Sequence, residues 1–333
     1  MFNNKSILIT GGTGTFGKEF VKKILKNYNA KKIVVYSRDE AKHHELSFKF
    51  ESKKMRFFVG DVRDKERLNL ALRGIDFVIH AAAMKQVPLS EYNPMECINT
   101  NIIGSQNLIE CSLNNKIKKV LMISTDKACG PVNLYGSTKL AGEKLFIAAN
   151  NLSGGISTKF SVVRYGNVSG SKGSVIPILK KALKNKENFY LTDIKMTRFW
   201  ITLEEGVDLV VKTLKTMSGG EIVIPKLKSY YIKDLAENFL PKNKIFTTGI
   251  RPGEKISEFL FSRDETPYVI DCNKYFLIKP SIKNINFKIP KKFKNLKKND
   301  TLNDGYSSSD KNYIMSASEL KEKMKTFNAQ EKI

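Results

Sequence analysis

A glycine-rich segment near the start of the chain has the spacing of a phosphate-binding turn. Gly11, Gly14 and Gly17 stand three residues apart and join a short β-prone run, 6–10, to a run of helical spacing, 18–27. Glycines permit a tight turn and let backbone N–H groups approach a pyrophosphate at the positive end of a helix. Because the triplet lies between a strand and an amphipathic helix, it predicts a dinucleotide-binding turn.

The residues after the second β-prone run decide which dinucleotide fits. An acidic residue there accepts hydrogen bonds from the ribose hydroxyls of NAD, whereas a basic residue pairs with the 2′-phosphate of NADP. Ser37 and Arg38 come first and Lys42 follows, which favours NADP. Asp39 keeps NAD open as the alternative cofactor.

Two further strand ends complete the predicted cofactor site. Asp61 and Val62 follow the third β-prone run and would flank the adenine. The small residues of the segment His80-Ala81-Ala82-Ala83 leave backbone against which a dinucleotide can lie. The cofactor-binding residues predicted from these strand ends are Gly11, Thr13, Gly14, Thr15, Phe16, Gly17, Ser37, Arg38, Lys42, Asp61, Val62, Ala81 and Ala83.

The elements that must position these residues alternate between strand and helix. The β-prone runs lie at 6–10, 32–36, 56–59, 76–83, 119–124 and 160–164, with runs of helical spacing at 18–27, 64–73, 93–114 and 137–150. Strands that alternate with helices in this way predict a parallel sheet covered on both faces. We therefore expect an α/β fold, with a Rossmann-type doubly wound parallel sheet and a smaller, mixed α/β C-terminal substrate domain.

The alternation loosens beyond about residue 170, and this sets the predicted domain boundaries. Residues 1–170 form the predicted NADP-binding Rossmann domain, to which a later part of the chain, about 195–225, returns. Residues 171–280 form mainly the substrate-binding domain. Residues 281–333 form a C-terminal extension that is Lys-rich over 280–301 and closes with a helix at 316–327.

The composition excludes several classes of protein. The chain has 333 residues, 41% hydrophobic and 27% charged, which excludes wholesale disorder. No window approaches the ~18–20 uninterrupted apolar residues of a membrane helix, and no signal-peptide cleavage pattern is present, so we expect a cytoplasmic protein without a membrane partner. Four cysteines and three histidines show no metal-ligand spacing, so no metal is predicted.

The net charge of +24 raises a different hypothesis, a non-catalytic nucleic-acid-binding or scaffold protein. Phosphate and base readers favour Arg for its planar fork, yet only nine of the 57 basic residues are Arg. Lysines are spread over most of the chain, so a compositional bias explains the charge better than a nucleic-acid groove does. We expect no nucleic-acid partner.

A tyrosine–lysine pair gives the chain a resemblance to a known superfamily. Tyr135-Gly136-Ser137-Thr138-Lys139, the glycine turn and the H-A-A-A strand end resemble the extended short-chain dehydrogenase/reductases. In that family the Tyr takes a proton from a substrate hydroxyl as its hydride leaves to the nicotinamide. The Lys lowers the pKa of the Tyr and holds the nicotinamide ribose, and the four-residue spacing puts both on one helix face. The resemblance therefore implies that Tyr135 and Lys139 are both catalytic and cofactor-binding.

The segment Ser124-Thr125-Asp126-Lys127 narrows the resemblance to nucleotide-sugar 4,6-dehydratases. It ends the fifth β-prone run, at the edge where such sheets bind ligands. These enzymes oxidise C4, remove the C5 proton with a base, protonate the departing C6 hydroxyl with an acid and return hydride to C6. The resemblance therefore implies that Thr125, Asp126 and Lys127 are catalytic. Many of these enzymes have Glu at the position of Lys127. With Lys at this position, the chain resembles the UDP-N-acetylglucosamine 4,6-dehydratases. A Lys127 base must be populated in its neutral form, so we expect burial or cationic neighbours to depress its pKa.

Further segments resemble the inverting subgroup of these dehydratases, which act in pseudaminic acid synthesis. They lie at 84–88, 164–168, 196–200 and 249–255, and the chain has Tyr135 where membrane-anchored retaining members have Met. The resemblance implies the product UDP-2-acetamido-2,6-dideoxy-β-L-arabino-hex-4-ulose and a homo-oligomer, either a hexamer or a dimer. A nucleotide-sugar epimerase or reductase of the same superfamily is the alternative, although a C4 epimerase needs neither Asp126 nor Lys127.

Residue-matched positions of the family imply how the UDP-sugar substrate is held. Lys85 would touch both cofactor and sugar, and Arg198 and Arg251 suit a diphosphate. Glu254 suits a ribose diol or a uracil N–H. The substrate-binding residues implied in this way are Lys85, Ser124, Asn167, Thr192, Arg198, Arg251 and Glu254.

Overall fold

The strands of the predicted alternation form one large sheet in the computed structural model. The structure describes residues 1–152, 157–171, 173–282, 285, 287, 302 and 304–331. The strands in this part of the chain are β1 (Ser6–Thr10), β2 (Lys32–Ser37), β3 (Met55–Val59), β4 (Phe77–His80), β5 (Lys119–Thr125), β6 (Lys159–Tyr165), β7 (Phe189–Leu191), β8 (Thr197–Phe199), β9 (Ile222–Pro225), β10 (Ser229–Tyr231), β11 (Ile245–Thr247), β12 (Phe259–Ser262), β13 (Val269–Asp271), β14 (Tyr275–Ile278) and β15 (Gly305–Ser307). The large sheet has the order β13-β14-β9-β6-β5-β4-β1-β2-β3. From β9 to β3 all neighbours are parallel, whereas β14 and β13 pair antiparallel at the far edge.

Helices cover both faces of this sheet. They are α1 (Thr15–Asn27), α2 (Glu40–Lys49), α3 (Lys65–Ala71), α4 (Val87–Tyr92), α5 (Pro94–Ile98), α6 (Gly104–Asn114), α7 (Leu134–Ala148), α8 (Val175–Asn185), α9 (Leu203–Thr216), α10 (Ile232–Glu237) and α11 (Ala317–Glu331). On one face, Phe20 of α1 and Val210 of α9 belong to the same buried cluster. On the other, Leu68, Leu108 and Phe146 of α3, α6 and α7 do the same. Each buried aliphatic side chain of this kind contributes ~1.5–3 kcal/mol to folding.

A smaller lobe contains the short strands that do not join the large sheet. They pair as β8 with β10, β7 with β11 and β12 with β15. Its core contains Trp200, whose ring lies edge-on to Tyr230 at 5.6 Å and to Phe327 of α11 at 6.0 Å between centroids. Contacts between β12 and the short 3₁₀ turn Asp126–Ala128 bring this lobe against the end of β5.

The predicted fold class, a Rossmann-type parallel sheet with a smaller mixed lobe, is confirmed. The run 93–114 was expected as one helix, but the structure divides it into α5, a π-helical segment Asn99–Ile103 and α6. Within residues 1–170, two helices, α2 and α4, were not predicted. The division of the chain into domains stays a prediction, although β13 and β14 extend the large sheet with residues from the range 171–280.

The predicted C-terminal extension is described only in part. The Lys-rich run expected at 280–301 lies mostly outside the described residues, whereas the expected closing helix at 316–327 corresponds to α11. Over the described residues, no helix combines the length and apolar character that a bilayer span requires.

Candidate active site

The glycine segment forms a tight turn between β1 and the start of α1. Gly11 has φ +66°, a left-handed conformation that glycine adopts without strain. A Cβ on Gly11 would lie 2.9 Å from the Ala81 backbone, and a Cβ on Gly17 would lie 2.3 Å from the carbonyl oxygen of Gly12. Gly14 caps α1, whose first turn contains no acidic side chain. The turn therefore presents bare backbone and a positive helix end, which suit a pyrophosphate.

The end of β2 shows how the residues proposed to select the cofactor are held. The Thr13 and Ser37 hydroxyl oxygens lie 2.9 Å apart, which connects the glycine turn to the end of β2. Asp39 caps α2 by accepting a hydrogen bond from the Lys42 backbone N–H at 3.0 Å, and it also pairs with the Lys42 ammonium. Arg38 keeps 59% of its side chain exposed, 3.6 Å from Asp61. The carboxylate of Asp39 is thus occupied, while the Arg38 guanidinium faces solvent at the rim.

A single cleft of about 1270 Å³ runs from the glycine turn to the smaller lobe. Typical ligand pockets have ~300–1,000 Å³, so this cleft has room for a dinucleotide and a second nucleotide. It is lined by every predicted site residue except Gly17, Asp126 and Thr192. Gly17 and Asp126 are buried behind residues that line it, and Thr192 reaches it only through Glu254.

Tyr135 and Lys139 lie one helical turn apart near the start of α7, with both side chains buried. The lowered pKa that the resemblance implies for Tyr135 is wrong for the free protein. Burial raises the pKa of Tyr135 to about 12, although the positive charge of Lys127 and a hydrogen bond with Thr125 act against that rise. The Lys139 ammonium donates a hydrogen bond to the carbonyl oxygen of Ile123 at 2.7 Å. Burial lowers the pKa of Lys139 to about 8, against the attraction of Glu143.

Asp126 and Lys127 form an ion pair at the end of β5. The Lys127 Nζ donates to Asp126 Oδ1 at 3.1 Å and to Asn167 Oδ1 at 3.1 Å, and Thr125 donates to the same Asp126 oxygen at 2.9 Å. Asp126 is fully buried, so Lys127 is the member of the pair that reaches the cleft.

The prediction that the pKa of Lys127 is depressed is wrong. Burial does lower this pKa, but the carboxylates of Asp126 and Glu258 together outweigh burial and raise it above the ordinary lysine value. Partial desolvation and the charge of Lys127 instead lower the pKa of Lys85, which lines the same cleft. Lys127 is therefore an ammonium in the protein without ligand.

Glu258, immediately before β12, is a site residue that the sequence analysis missed. Its carboxylate Oε1 lies 3.3 Å from the Lys127 Nζ and 3.9 Å from the Arg198 Nε, and its Oε2 lies 3.7 Å from the Lys255 Nζ. Only 2% of Glu258 is exposed, yet the residue contributes to the cleft wall. The one signal in the sequence was an acidic residue directly before the apolar run Phe259-Leu260-Phe261.

The residues implied for the UDP part lie on the lobe side of the cleft. Arg198 of β8 is buried and donates to the backbone carbonyls of Thr197, Ile256 and Lys255 at 2.7–3.2 Å, which fixes its guanidinium. Arg251 is exposed at the rim. Thr192 is buried and donates a hydrogen bond to Glu254 at 2.8 Å, so it can orient Glu254 without touching a ligand.

Two further polar groups, which the sequence analysis did not identify, hold the walls of the cleft. Asn101 accepts from the Met84 N–H at 2.8 Å and donates to the Met84 carbonyl at 2.9 Å, which fixes the backbone next to Lys85. Arg164 of β6 is fully buried and makes two hydrogen bonds each to Glu143 of α7 and to Glu265 after β12. This ion-paired group ties the catalytic helix, the large sheet and the smaller lobe together.

The arrangement brings groups for two kinds of chemistry into one cleft. The glycine turn with Ser37, Arg38 and Lys42 fits a nicotinamide dinucleotide, since it combines bare backbone at a helix N-terminus with cationic side chains at the ribose end. Tyr135 and Lys127, which line the same cleft, have side chains of types that can transfer protons. Over the described residues, no group of three or more His, Cys, Asp or Glu side chains could hold a metal ion.

Comparison with known proteins gives one family and several relatives. Residues 7–280 match the family described as "Polysaccharide biosynthesis protein". The "UDP-N-acetylglucosamine 4,6-dehydratase (inverting)" of Campylobacter jejuni serotype O:23/36 is 52% identical over 321 residues, or 96% of each chain. A "UDP-glucose 4-epimerase" of Rickettsia bellii (strain RML369-C) is 40% identical over 294 residues, or 86% of each chain.

Solved structures resemble all or most of the chain. Pen from Bacillus thuringiensis superimposes with a TM-score of 0.89 at 35% identity, covering 99% of both chains. DesIV from Streptomyces venezuelae, a dTDP-glucose 4,6-dehydratase with NAD and TYD bound, has a TM-score of 0.68 at 21% identity over 75% of this chain and 86% of its own, a likeness of fold alone.

Proposed function

Since the chain belongs to the polysaccharide biosynthesis protein family and is 52% identical to an inverting UDP-N-acetylglucosamine 4,6-dehydratase, we propose that it catalyses that reaction. The product would be a UDP-linked 4-keto-6-deoxy sugar with C5 inverted, a precursor of pseudaminic acid type. The observation that carries the proposal is the Asp126–Lys127 pair, whose Lys127 reaches the same cleft as Tyr135.

A nicotinamide cofactor bound at the glycine turn would supply reversible hydride acceptance and donation. NADP is the proposed form because Asp39 is engaged as the cap of α2 and by the Lys42 ammonium, whereas the Arg38 guanidinium is exposed at the rim of the cleft, where it could pair with a 2′-phosphate. Lys139 would hold the nicotinamide ribose. Tyr135 keeps its proton at neutral pH in the free protein, so it would have to release that proton before it could accept the proton of the C4 hydroxyl during oxidation.

The loss of water requires proton transfer at C5 and at the C6 hydroxyl. Lys127 is proposed as the C5 base because it is the member of the pair in contact with the cleft, with Asp126 and Asn167 fixing its Nζ. Lys127 must first lose the proton that it holds in the free protein, so proton removal from C5 should become faster as pH rises. Once it has taken up the C5 proton, Lys127 is again an ammonium that can protonate the departing C6 hydroxyl, which leaves as water. The proton that returns to C5 when hydride is delivered to C6 would then come from solvent.

The substrate would lie across the smaller lobe, with its diphosphate near Arg198 and Arg251 and its nucleoside near Glu254. A cytoplasmic location and a homo-oligomer, a hexamer or a dimer, complete the proposal. Light scattering on the purified protein measures the number of subunits directly.

The test is incubation with UDP-N-acetylglucosamine in D₂O, followed by mass spectrometry and NMR. The expected product has lost one water from the sugar and carries deuterium at C5, without accumulating NADPH, and the C5 proton coupling of the same reaction in H₂O reports inversion. Tyr135→Phe protein purified in the same way controls for contaminating enzymes. An unchanged sugar would contradict the proposal.

A nucleotide-sugar epimerase is the second candidate, since relatives at 40% identity are named UDP-glucose 4-epimerases. Epimerisation at C4 requires neither a C5 base nor an acid at C6, which leaves the Asp126–Lys127 pair without a role. The same mass measurement separates the two activities, because an epimerised sugar keeps its mass.

A further inference from the structure

The carboxylate of Glu258 lies between the proposed C5 base and the substrate lobe. Its Oε1 is 3.3 Å from the Lys127 Nζ, and its Oε2 accepts no hydrogen bond from any described residue although it is buried. A buried carboxylate is costly unless it is paired with a cation. The Lys127 ammonium is the cation nearest to Glu258, so the two groups form an ion pair.

The backbone of Glu258 is held by two hydrogen bonds to one residue. Its N–H donates to the Ser308 hydroxyl at 2.9 Å, and its carbonyl accepts from the Ser308 N–H at 2.8 Å. Ser308 directly follows β15, the partner of β12. Glu258 is therefore presented to Lys127 by a two-stranded sheet rather than by a free loop.

The other groups around the pair do not replace Glu258. Asp126 lies 3.1 Å from the Lys127 Nζ and is fully buried. Arg198 and Lys255 face Glu258 at 3.9 and 3.7 Å, farther away than Lys127. The charged and titratable groups that face the pair from the surrounding elements are Asp126, Tyr135, Lys85, Arg198 and Lys255.

We propose that Glu258 is a positioning residue, which holds the Lys127 Nζ in the cleft and sets the pH at which Lys127 releases its proton. The effect on catalysis rests on the proposed function, whereas the effect on Lys127 itself does not. Glu258 acts through Lys127 and takes no proton from the sugar. Together with Asp126, it explains how a lysine in a buried site remains an ammonium in the free protein.

Trace labelling of lysines tests this directly. The full-length protein is exposed to a trace of acetic anhydride at a series of pH values, and the acetylation rates of Lys127 and Lys144 are read from peptides by mass spectrometry. Lys144, exposed on α7, serves as an internal reference in the same sample. Lys127 should reach half of its maximal acetylation rate at a higher pH than Lys144 does. A Lys127 midpoint at or below the reference would overturn the proposal without any variant.

Two variants isolate the charge of Glu258. In Glu258→Gln the labelling midpoint of Lys127 should fall by more than about one pH unit, because a charge in near contact is removed. In Glu258→Asp, which keeps the charge, the midpoint should stay close to the wild-type value. Glu221→Gln removes another buried carboxylate outside the cleft and should leave Lys127 unchanged. An unmoved midpoint in Glu258→Gln would refute the role.

The rate of C5 deuterium exchange against pH gives the functional consequence. In Glu258→Gln, the rising part of the curve of exchange rate against pH should move to lower pH by the same interval as the labelling midpoint. A merely structural role of Glu258 would instead lower kcat equally at every pH. If the wild-type protein fails to dehydrate UDP-N-acetylglucosamine, the proposed function fails, and the labelling experiment still decides whether Glu258 controls Lys127.

Discussion

The buried ammonium of Lys139 should destabilise the folded protein, and a single substitution should remove that cost. Burial lowers the pKa of Lys139 from 10.5 to about 8. One pKa unit corresponds to about 1.4 kcal/mol, so the difference of roughly 2.5 units is a cost on the order of 3 kcal/mol. Because the folded-state pKa is the lower one, the unfolded chain binds the proton more tightly. The cost is thus fully present below about pH 8 and disappears as pH rises to about 10.5.

The substitution Lys139→Met removes the charge and keeps a side chain of similar length. It also removes the hydrogen bond to the Ile123 carbonyl, which is worth about 1 kcal/mol. The free energy of unfolding should therefore rise by about 2 kcal/mol near pH 7, while turnover is lost. Urea unfolding followed by circular dichroism measures this for the nucleotide-free protein near pH 7 and near pH 10.

Lys144→Met is the matched control, since Lys144 is exposed on the same helix. Its effect on the free energy of unfolding should stay within about 0.5 kcal/mol at both pH values. The gain of Lys139→Met should shrink toward zero or below at the higher pH, because the wild-type lysine is then neutral. A variant that is no more stable near pH 7, or whose gain is equally large near pH 10, would refute the assignment of the cost to a buried charge.

Three substitutions test the proposed roles in the cleft. Lys127→Ala should lower the rate of C5 deuterium exchange by at least about 100-fold and leave cofactor affinity unchanged, since a general base accelerates proton transfer roughly 10²–10⁴-fold. Exchange that survives in this variant would show that Lys127 is not the base. Tyr135→Phe should block the first oxidation in a single-turnover absorbance assay, and a normal kcat would contradict that role. Arg38→Ala should weaken NADP binding by about tenfold or more in calorimetry while NAD binding changes little, because charge-assisted hydrogen bonds contribute about 1.5–3 kcal/mol. Equal losses for both cofactors would argue against a 2′-phosphate contact.

The sequence predicts the large sheet well because each of its strands and the glycine turn has a pattern that can be recognised within a few consecutive residues. Strands β1, β2, β5 and β6 are short apolar runs, and the glycine turn between β1 and α1 requires a backbone that few other residues permit. Helix α2 was missed because it buries only His43 and Leu46, so its apolar stripe is too thin to recognise. The run 93–114 was merged into one helix because its spacing stays helical while the hydrogen bonding shifts by one residue over Asn99–Ile103.

The charge state of the site could not be predicted in the same way, because it depends on groups that only the fold brings together. Within its own segment, Lys127 has Asp126 beside it, and burial alone would make a neutral lysine the natural expectation. The second carboxylate, Glu258, comes from the smaller lobe and reverses the sign of the pKa shift. Two carboxylates around one ammonium leave a net negative charge, which Arg198 and Lys255 offset from the substrate side. A diphosphate bound near Arg198 would compete with Glu258 for the same cation, so substrate binding and the proton on Lys127 should be linked through this carboxylate.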